Sequence, residues 1–242
     1  MKEKKGTIYE HLTELRRVFV ISIVAFVICT MLCYFLWRHE LVGLVFNPIR
    51  KLGTNIVIIG VTEGFMIQLK LCCVAGLIMA SPVILSQIVY FILPALYKKE
   101  KKILFFFLFF SIVLFCLGVL LGYYFVLGIG LRVFLVDYNQ EFGTMIAAGK
   151  YVTFFNGFLL PFGITFQFPL LSFALTKMGV LNPTKLRKKR GYAILLIFVV
   201  AAIVTPPDVI SQVLLSLPMM VLYEISIGAS YIAGRKEIVH EE

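Results

Sequence analysis

Two carboxylates stand beside long uncharged runs. Glu14 lies just before the run Val18–Trp37, and Glu100 just before the run Ile103–Leu131. Carboxylates at the edge of a low-dielectric region are suited to hold guanidinium groups, each through two parallel charge-assisted hydrogen bonds. Both have a blander reading. Glu10, Glu14 and Arg17 have helical i,i+3/i+4 spacing, a surface arrangement that contributes about 0.2–0.5 kcal/mol per pair. Glu100 sits among Lys98, Lys99, Lys101 and Lys102, which reads equally as a solvated basic loop with its counter-charge.

Within the apolar runs, Gln167 is the most telling polar residue. Its amide suits an interhelical hydrogen bond of about 0.6–2 kcal/mol or a place on a polar pathway, and Pro161 and Pro169 around it point to a bent helix opening on a cavity. Asp208 follows Pro206-Pro207 and is placed to cap the next helix. His11, His39 and His240 are scattered and form no ligand set. Cys29, Cys33, Cys72, Cys73 and Cys116 all fall in apolar runs without a C-x-x-C pair, so they read as small hydrophobes. Neither a metal nor a cofactor is expected. No nucleotide-binding loop, zinc-protease helix or serine nucleophile elbow occurs, which argues against an enzyme and excludes an ATP-driven pump in one chain.

The elements that must carry these residues follow from composition. Of 242 residues, 60% are hydrophobic and 15% charged, against roughly 45–50% and 25% in soluble domains. An apolar solvent must surround such a chain, so it reads as an all-α integral membrane protein. Six spans are expected at about 18–37, 65–96, 103–131, 151–176, 191–204 and 209–233, in a single domain covering 1–242 with no internal repeat. The fifth run rises only about 21 Å against a hydrocarbon core of about 30 Å, and the sixth is uncharged only as far as Glu224, so helices 5 and 6 are expected to be short.

Seventeen of the 23 Lys and Arg flank one end of the spans, in the N-terminal segment, Tyr97–Lys102, Lys177–Arg190 and the C-terminus. The net charge of +10 is therefore topological, not a sign of nucleic-acid binding, and both termini are expected to be cytoplasmic. Ahead of the first span, Thr7 and Glu10 have capping-box spacing and Ile8, Leu12, Leu15 and Phe19 share a face, which predicts an amphipathic helix lying at the cytoplasmic interface and running into span one. In the first outside loop, Asn47-Pro48 reads as a turn and Thr54–Val61 as extended.

An ordered series of motifs runs along the chain, beginning with His11-Leu12-Thr13-Glu14-Leu15-Arg16. Asn47-Pro48, Thr62-Glu63-Gly64-Phe65 with Lys70, Ser81-Pro82-Val83-Ile84 and Phe91-Ile92-Leu93-Pro94-Ala95-Leu96-Tyr97 with Glu100 follow. Pro161-Phe162-Gly163, Phe166-Gln167-Phe168-Pro169, Leu186-Arg187-Lys188-Lys189-Arg190, Thr205-Pro206-Pro207-Asp208 and Glu224 complete it, so that about Ile8 to Ser230 is covered. In content and order the series resembles the TatC family, the core membrane subunits of the twin-arginine protein translocase, its first motif matching the family's H-L-x-E-L-R signature.

The resemblance implies a receptor in a bacterial cytoplasmic membrane, with a concave, glove-shaped six-helix bundle. It would bind twin-arginine signal peptides of folded cargo, assemble with single-span TatA/TatB-type partners in a multimeric complex, and support transport driven by the proton-motive force. By the family's pattern the signal-peptide carboxylates fall on Glu14 and Glu100, with Arg16 and Phe91 beside them and Pro48 as a functional loop position. Partner docking falls on Thr205, Asp208 and Gln212. Gln167 stands where many members carry a glutamate, and an amide cannot titrate. The rival reading is a small secondary transporter, which should show inverted repeats and helices broken in matching halves.

Overall fold

The computed structural model describes residues 3–92, 101–132, 145–204 and 209–238. They form helices α1 (Glu3–Leu36), α2 (Arg38–Arg50), α3 (Glu63–Ile92), α4 (Lys101–Leu121), α5 (Leu127–Arg132), α6 (Ala148–Thr165), α7 (Phe168–Lys177), α8 (Pro183–Lys188), α9 (Arg190–Val204) and α10 (Val209–Ile238), with strands β1 (Asn55–Val57) and β2 (Met145–Ala147). Five of these helical stretches are long and apolar enough to cross a membrane, and α9 is a shorter apolar sixth. Six apolar elements thus stand where six spans were expected.

Several boundaries depart from the sequence reading. α1 is one unbroken helix of 34 residues, so the amphipathic segment runs on into the first span as expected. Asn47-Pro48 is not a turn, because both residues lie inside α2. The extended stretch contracts to three residues, and these pair in parallel with β2, Ile56 opposite Ile146. α10 is helical over 30 residues. The expected shortness belongs only to its uncharged part, about 22 Å long, before Glu224. Arg190, which opens α9, forms an ion pair with Glu224, so the two charges set one level for both helices.

Proline shapes the helices, and at two of them the backbone group it releases finds a new donor. A proline removes one helical N–H and leaves the carbonyl four residues earlier without its donor. Pro82 does this to Ile78, whose carbonyl accepts from the Ser81 hydroxyl at 2.7 Å. Pro48 does it to Leu44, whose carbonyl accepts from the Tyr123 hydroxyl at 3.0 Å. Pro169 cannot continue α6, and the chain turns at Phe166-Gln167 before α7 begins with that proline in its first turn. The expected bend in the fourth span is therefore a break into two helices. α7 itself ends at Gly179, whose φ of +71° suits only glycine without strain, and Asn182 then caps α8 by accepting from the Thr184 N–H.

The helices meet at small residues. A Cβ on Gly118 would stand 2.7 Å from the Phe162 carbonyl, and one on Gly163 would stand 2.8 Å from the Phe115 ring, so α4 and α6 cross backbone to backbone. Gly118 and Gly122 have the G-x-x-x-G spacing that permits such crossings in membranes. α1 and α3 cross in the same way, Gly76 admitting the Thr30 backbone. Around α6 the core divides in two. Tyr151, Val152 and Phe155 pack with Phe46, Ile49 and Leu71 toward α2 and α3, and Phe158 and Phe162 pack with Ile197, Leu215 and Met219 toward α9 and α10.

Candidate functional site

At the end of the bundle that carries the basic loops, α1 supplies Glu14 and Arg16 on an exposed turn. Its position relative to α3 follows from the helix crossing. The two helices run antiparallel, and equal counting outward from Thr30 and Gly76, about 24 Å along each, brings Glu14 level with the last turn of α3. That turn carries Phe91, half-buried. Glu14 and Phe91 therefore stand at about the same level along the two helices. Glu100 lies outside the described residues, so its distance from Glu14 is not part of this geometry.

In the membrane-embedded part, Gln167 sits at the α6–α7 break and spends both halves of its amide on one residue of α4. Its Oε1 accepts from the Ser111 hydroxyl at 2.7 Å, and its Nε2 donates to the Ser111 carbonyl at 2.9 Å. This is the interhelical bond expected of it. Next to it lies a cavity of about 390 Å³ between α3, α4 and the two halves of the broken span. Its walls are aliphatic and aromatic apart from Ser81, Ser111 and Gln167. The hydroxyl of Ser81 and both groups of Ser111 and Gln167 are already bonded, so the cavity on which the broken span opens is an apolar one.

On the other side of the break, α7 joins α10 through buried hydroxyls. Ser172 and Ser230 share a hydrogen bond of 2.6 Å, Thr176 donates to Ser230, and Ser172 also donates to the Ser226 carbonyl. Of the expected docking residues, Gln212 is half-buried on α10 and donates through Nε2 to the Phe198 carbonyl of α9 at 3.0 Å. Thr205 and Asp208 lie outside the described residues. Asn156, in the middle of α6, keeps its buried amide oxygen without a partner among the described residues.

At the opposite end, a cap holds the outside segments together, and its key residue was quoted in the sequence only as part of a motif. Glu63 opens α3, accepts from the Ile59 and Gly60 N–H groups through Oε2, and accepts from the Gly149 N–H at 2.8 Å through Oε1. One carboxylate thereby ties the β1 loop to the start of α6. Thr62 and Glu63 before an apolar run are a helix-start signal, and that signal could have found the first two of these bonds. The third spans 86 residues and is invisible in sequence. Pro48 belongs to this cap as well. Besides the Leu44 carbonyl held by Tyr123, the Val45 carbonyl accepts from the buried Tyr151 hydroxyl at 2.7 Å. Two tyrosines from different spans thus grip the turn of α2 that the proline loosens.

The family model described as Sec-independent protein translocase protein (TatC) matches residues 10–218. A Sec-independent protein translocase protein TatC of Carboxydothermus hydrogenoformans is 38% identical over 242 residues, all of this chain and 99% of that protein. One of Aquifex aeolicus is 38% identical, with 94% and 96% covered. Among solved structures, a crystal structure of the twin-arginine translocase receptor TatC superposes with a TM-score of 0.83 at 36% identity, covering 92% of this chain and 99% of the other. A second crystal structure of that receptor, in DDM, gives 0.84 with 90% and 98% covered.

Proposed function

The chain belongs to the TatC family of Sec-independent protein translocase proteins, and on that premise we propose that it receives the arginine pair of a signal peptide at Glu14 and Glu100. It is a multi-pass membrane protein with the six-helix TatC fold. In this reading the six spans act as a single domain in a bacterial cytoplasmic membrane, with both termini and the basic loops in the cytoplasm. Cargo would arrive folded, single-span TatA/TatB-type subunits would join in a larger complex, and the proton-motive force would supply the work.

The observation that carries the reading is the level shared by Glu14 and Phe91, where the exposed carboxylate-bearing turn of α1 stands level with the last turn of α3. Glu100 follows that turn in sequence by about two further helical turns' worth of chain, a reach that allows it to join the same site. Paired carboxylates select arginine over lysine because a planar guanidinium donates two parallel hydrogen bonds where an ammonium is a point charge. Arg16, two residues on along α1, would belong to the same cytoplasmic end of the helix as a further position of the site. Phe91 offers an aromatic face on which a guanidinium can stack.

Gln167 takes a structural part here. Its amide closes the contact of the broken span with α4 and does not titrate, so coupling to the proton-motive force would have to use other groups. For partner docking, Gln212 has its amide oxygen to offer an incoming helix, since among the described residues it bonds only through the nitrogen. Thr205 and Asp208 would extend that patch along the connection between α9 and α10.

Binding of a labelled twin-arginine peptide to the purified chain tests the assignment. Glu14→Gln and Glu100→Gln should each weaken it by about tenfold, equivalent to about 1.4 kcal/mol, while a twin-lysine peptide should change little. Unchanged arginine-dependent affinity in both variants at low salt would make these residues ordinary surface counter-charges.

A further inference from the structure

The apolar cavity beside the α6–α7 break has a shape and a setting that select its occupant. Its lining runs along α3 from Leu77, near the middle of that helix, to Val89 in the last turn, a length of about 18 Å. That is close to the depth of one leaflet in a hydrocarbon core of about 30 Å. Ile88, Ile164, Phe168 and Leu171 line the cavity and are also exposed on the outside of the bundle, so it is a slot that opens sideways. At the end toward the basic loops, Val89, Phe107 and Ala174 pack on one another and close its inner wall.

Size and polarity exclude most guests. A volume of about 390 Å³ spread over about 18 Å leaves a cross-section of about 22 Å². A helix with its side chains is about 10–12 Å across and does not fit. An extended peptide would bring backbone N–H and C=O groups against walls whose own polar groups, on Ser81, Ser111 and Gln167, are already bonded. A polar headgroup pushed into the slot would meet the same walls. A hydrocarbon chain carries no group to satisfy, and it is the material that surrounds the spans.

The ends that frame the slot indicate which lipid supplies that chain. α4 opens with Lys101 and Lys102, within two helical turns of Phe107, and α7 carries Lys177 in its last turn, one turn beyond Ala174. Lys98 and Lys99 come just before in sequence, with Glu100 the one acid in that stretch. Among the described residues no acidic side chain lines the slot. Basic residues at the ends of neighbouring spans draw anionic headgroups.

We propose that the slot binds one acyl chain of an anionic phospholipid from the leaflet at the basic end, with the phosphate at the lysine-bearing start of α4. The acyl chain fills the gap that the broken span leaves between α7 and the α3–α4 pair, and the lysines decide which lipid is retained. The site does not depend on the twin-arginine reading, since neither Glu14 nor Phe91 lines it.

Bromine on a lipid chain quenches tryptophan on contact, and the protein has a single tryptophan, Trp37. Phe168→Trp in a Trp37→Phe background puts a reporter on the open side of the slot, and Leu171→Trp in the same background gives an independent second one. The full-length protein is reconstituted in dioleoyl phosphatidylcholine vesicles with rising shares of dibrominated phosphatidylglycerol or dibrominated phosphatidylcholine. Quenching should saturate at a share of the glycerol lipid about tenfold below that of the choline lipid, the scale set by two lysines near an anionic headgroup. Lys101→Gln together with Lys102→Gln should remove most of that preference. Dioleoyl phosphatidylglycerol without bromine should restore the fluorescence. Dihexanoyl phosphatidylglycerol, with the same headgroup and chains too short to fill the slot, should not. Equal quenching by the two brominated lipids, quenching that never saturates, a preference untouched by the lysine substitutions, or relief by the dihexanoyl lipid would each overturn the proposal. Reporters that neither lipid quenches but that respond to an added twin-arginine peptide would assign the slot to the peptide and overturn it as well.

Discussion

α1 and the α6–α7 span cross the same membrane and meet opposite surroundings. In the most apolar part of α1 only 6% of the residues are buried in the protein, and in that of α6–α7 the share is 50%. The more apolar of the two is the less buried, the reverse of what a soluble protein would show. In lipid there is no hydrophobic force to pull an apolar helix inward. What draws a helix to the centre is its ability to fit closely and to make hydrogen bonds. α6–α7 therefore carries Gly163, Thr165, Gln167, Ser172 and Thr176, each in close contact or bonded. α1 turns Phe19, Ile23, Ile28, Met31 and Phe35 outward.

Substitutions should separate the two in a fixed order. The largest loss is expected from Gly118→Leu, which forces a side chain onto the Phe162 carbonyl and ring of Phe166 at the α4–α6 crossing. Overpacking of this kind typically costs about 1–3 kcal/mol, and contact with backbone puts this site at the upper end. Thermal unfolding in detergent measures it, and a midpoint like that of the parent protein would show that the crossing yields. Tyr151→Phe comes next. It leaves the Val45 carbonyl of α2 without its donor inside the core, at a cost of about 1–1.5 kcal/mol. Protease sensitivity of the α2–β1 segment should rise with it, and unchanged sensitivity would detach the tyrosine from the cap. The smallest effect is expected from Phe35→Ala on the outward face of α1, where Phe35 is 78% exposed. Surface changes usually fall within about 0.5 kcal/mol. A loss as large as that of Tyr151→Phe would mean that another chain covers this face.

Much of this was legible from the sequence for a physical reason. Charge-free length is a one-dimensional property, so all six spans could be counted, and the shortness of α9 and the bend at Pro169 could be read from run length and residue type. Local signals at Pro82 and Gly118 were equally present, though only the first entered a motif. The helix ahead of the first span was legible from its amphipathic pattern, whereas the turns after Glu224 were not, because they continue a helix beyond the uncharged run without such a pattern. The turn expected at Asn47-Pro48 failed because proline in a helix is tolerated when its freed carbonyl finds a donor, and that donor, Tyr123, lies 79 residues away. Glu63 escaped for the same reason. Three-dimensional partners decide such positions, and the family's motif preserved the residue without showing its role.

The level set by Arg190 and Glu224 has a consequence for how the chain is made. α9 is 15 residues long, about 22 Å of helix, and alone it would leave backbone ends inside a hydrocarbon layer of about 30 Å. Emerging from the ribosome by itself it has no stable place to rest. It gains one when α10 arrives to pair Glu224 with Arg190 and to lend Gln212 to the Phe198 carbonyl. The last two spans must therefore enter the bilayer together as one hairpin, and the sixth is the step that commits the fifth.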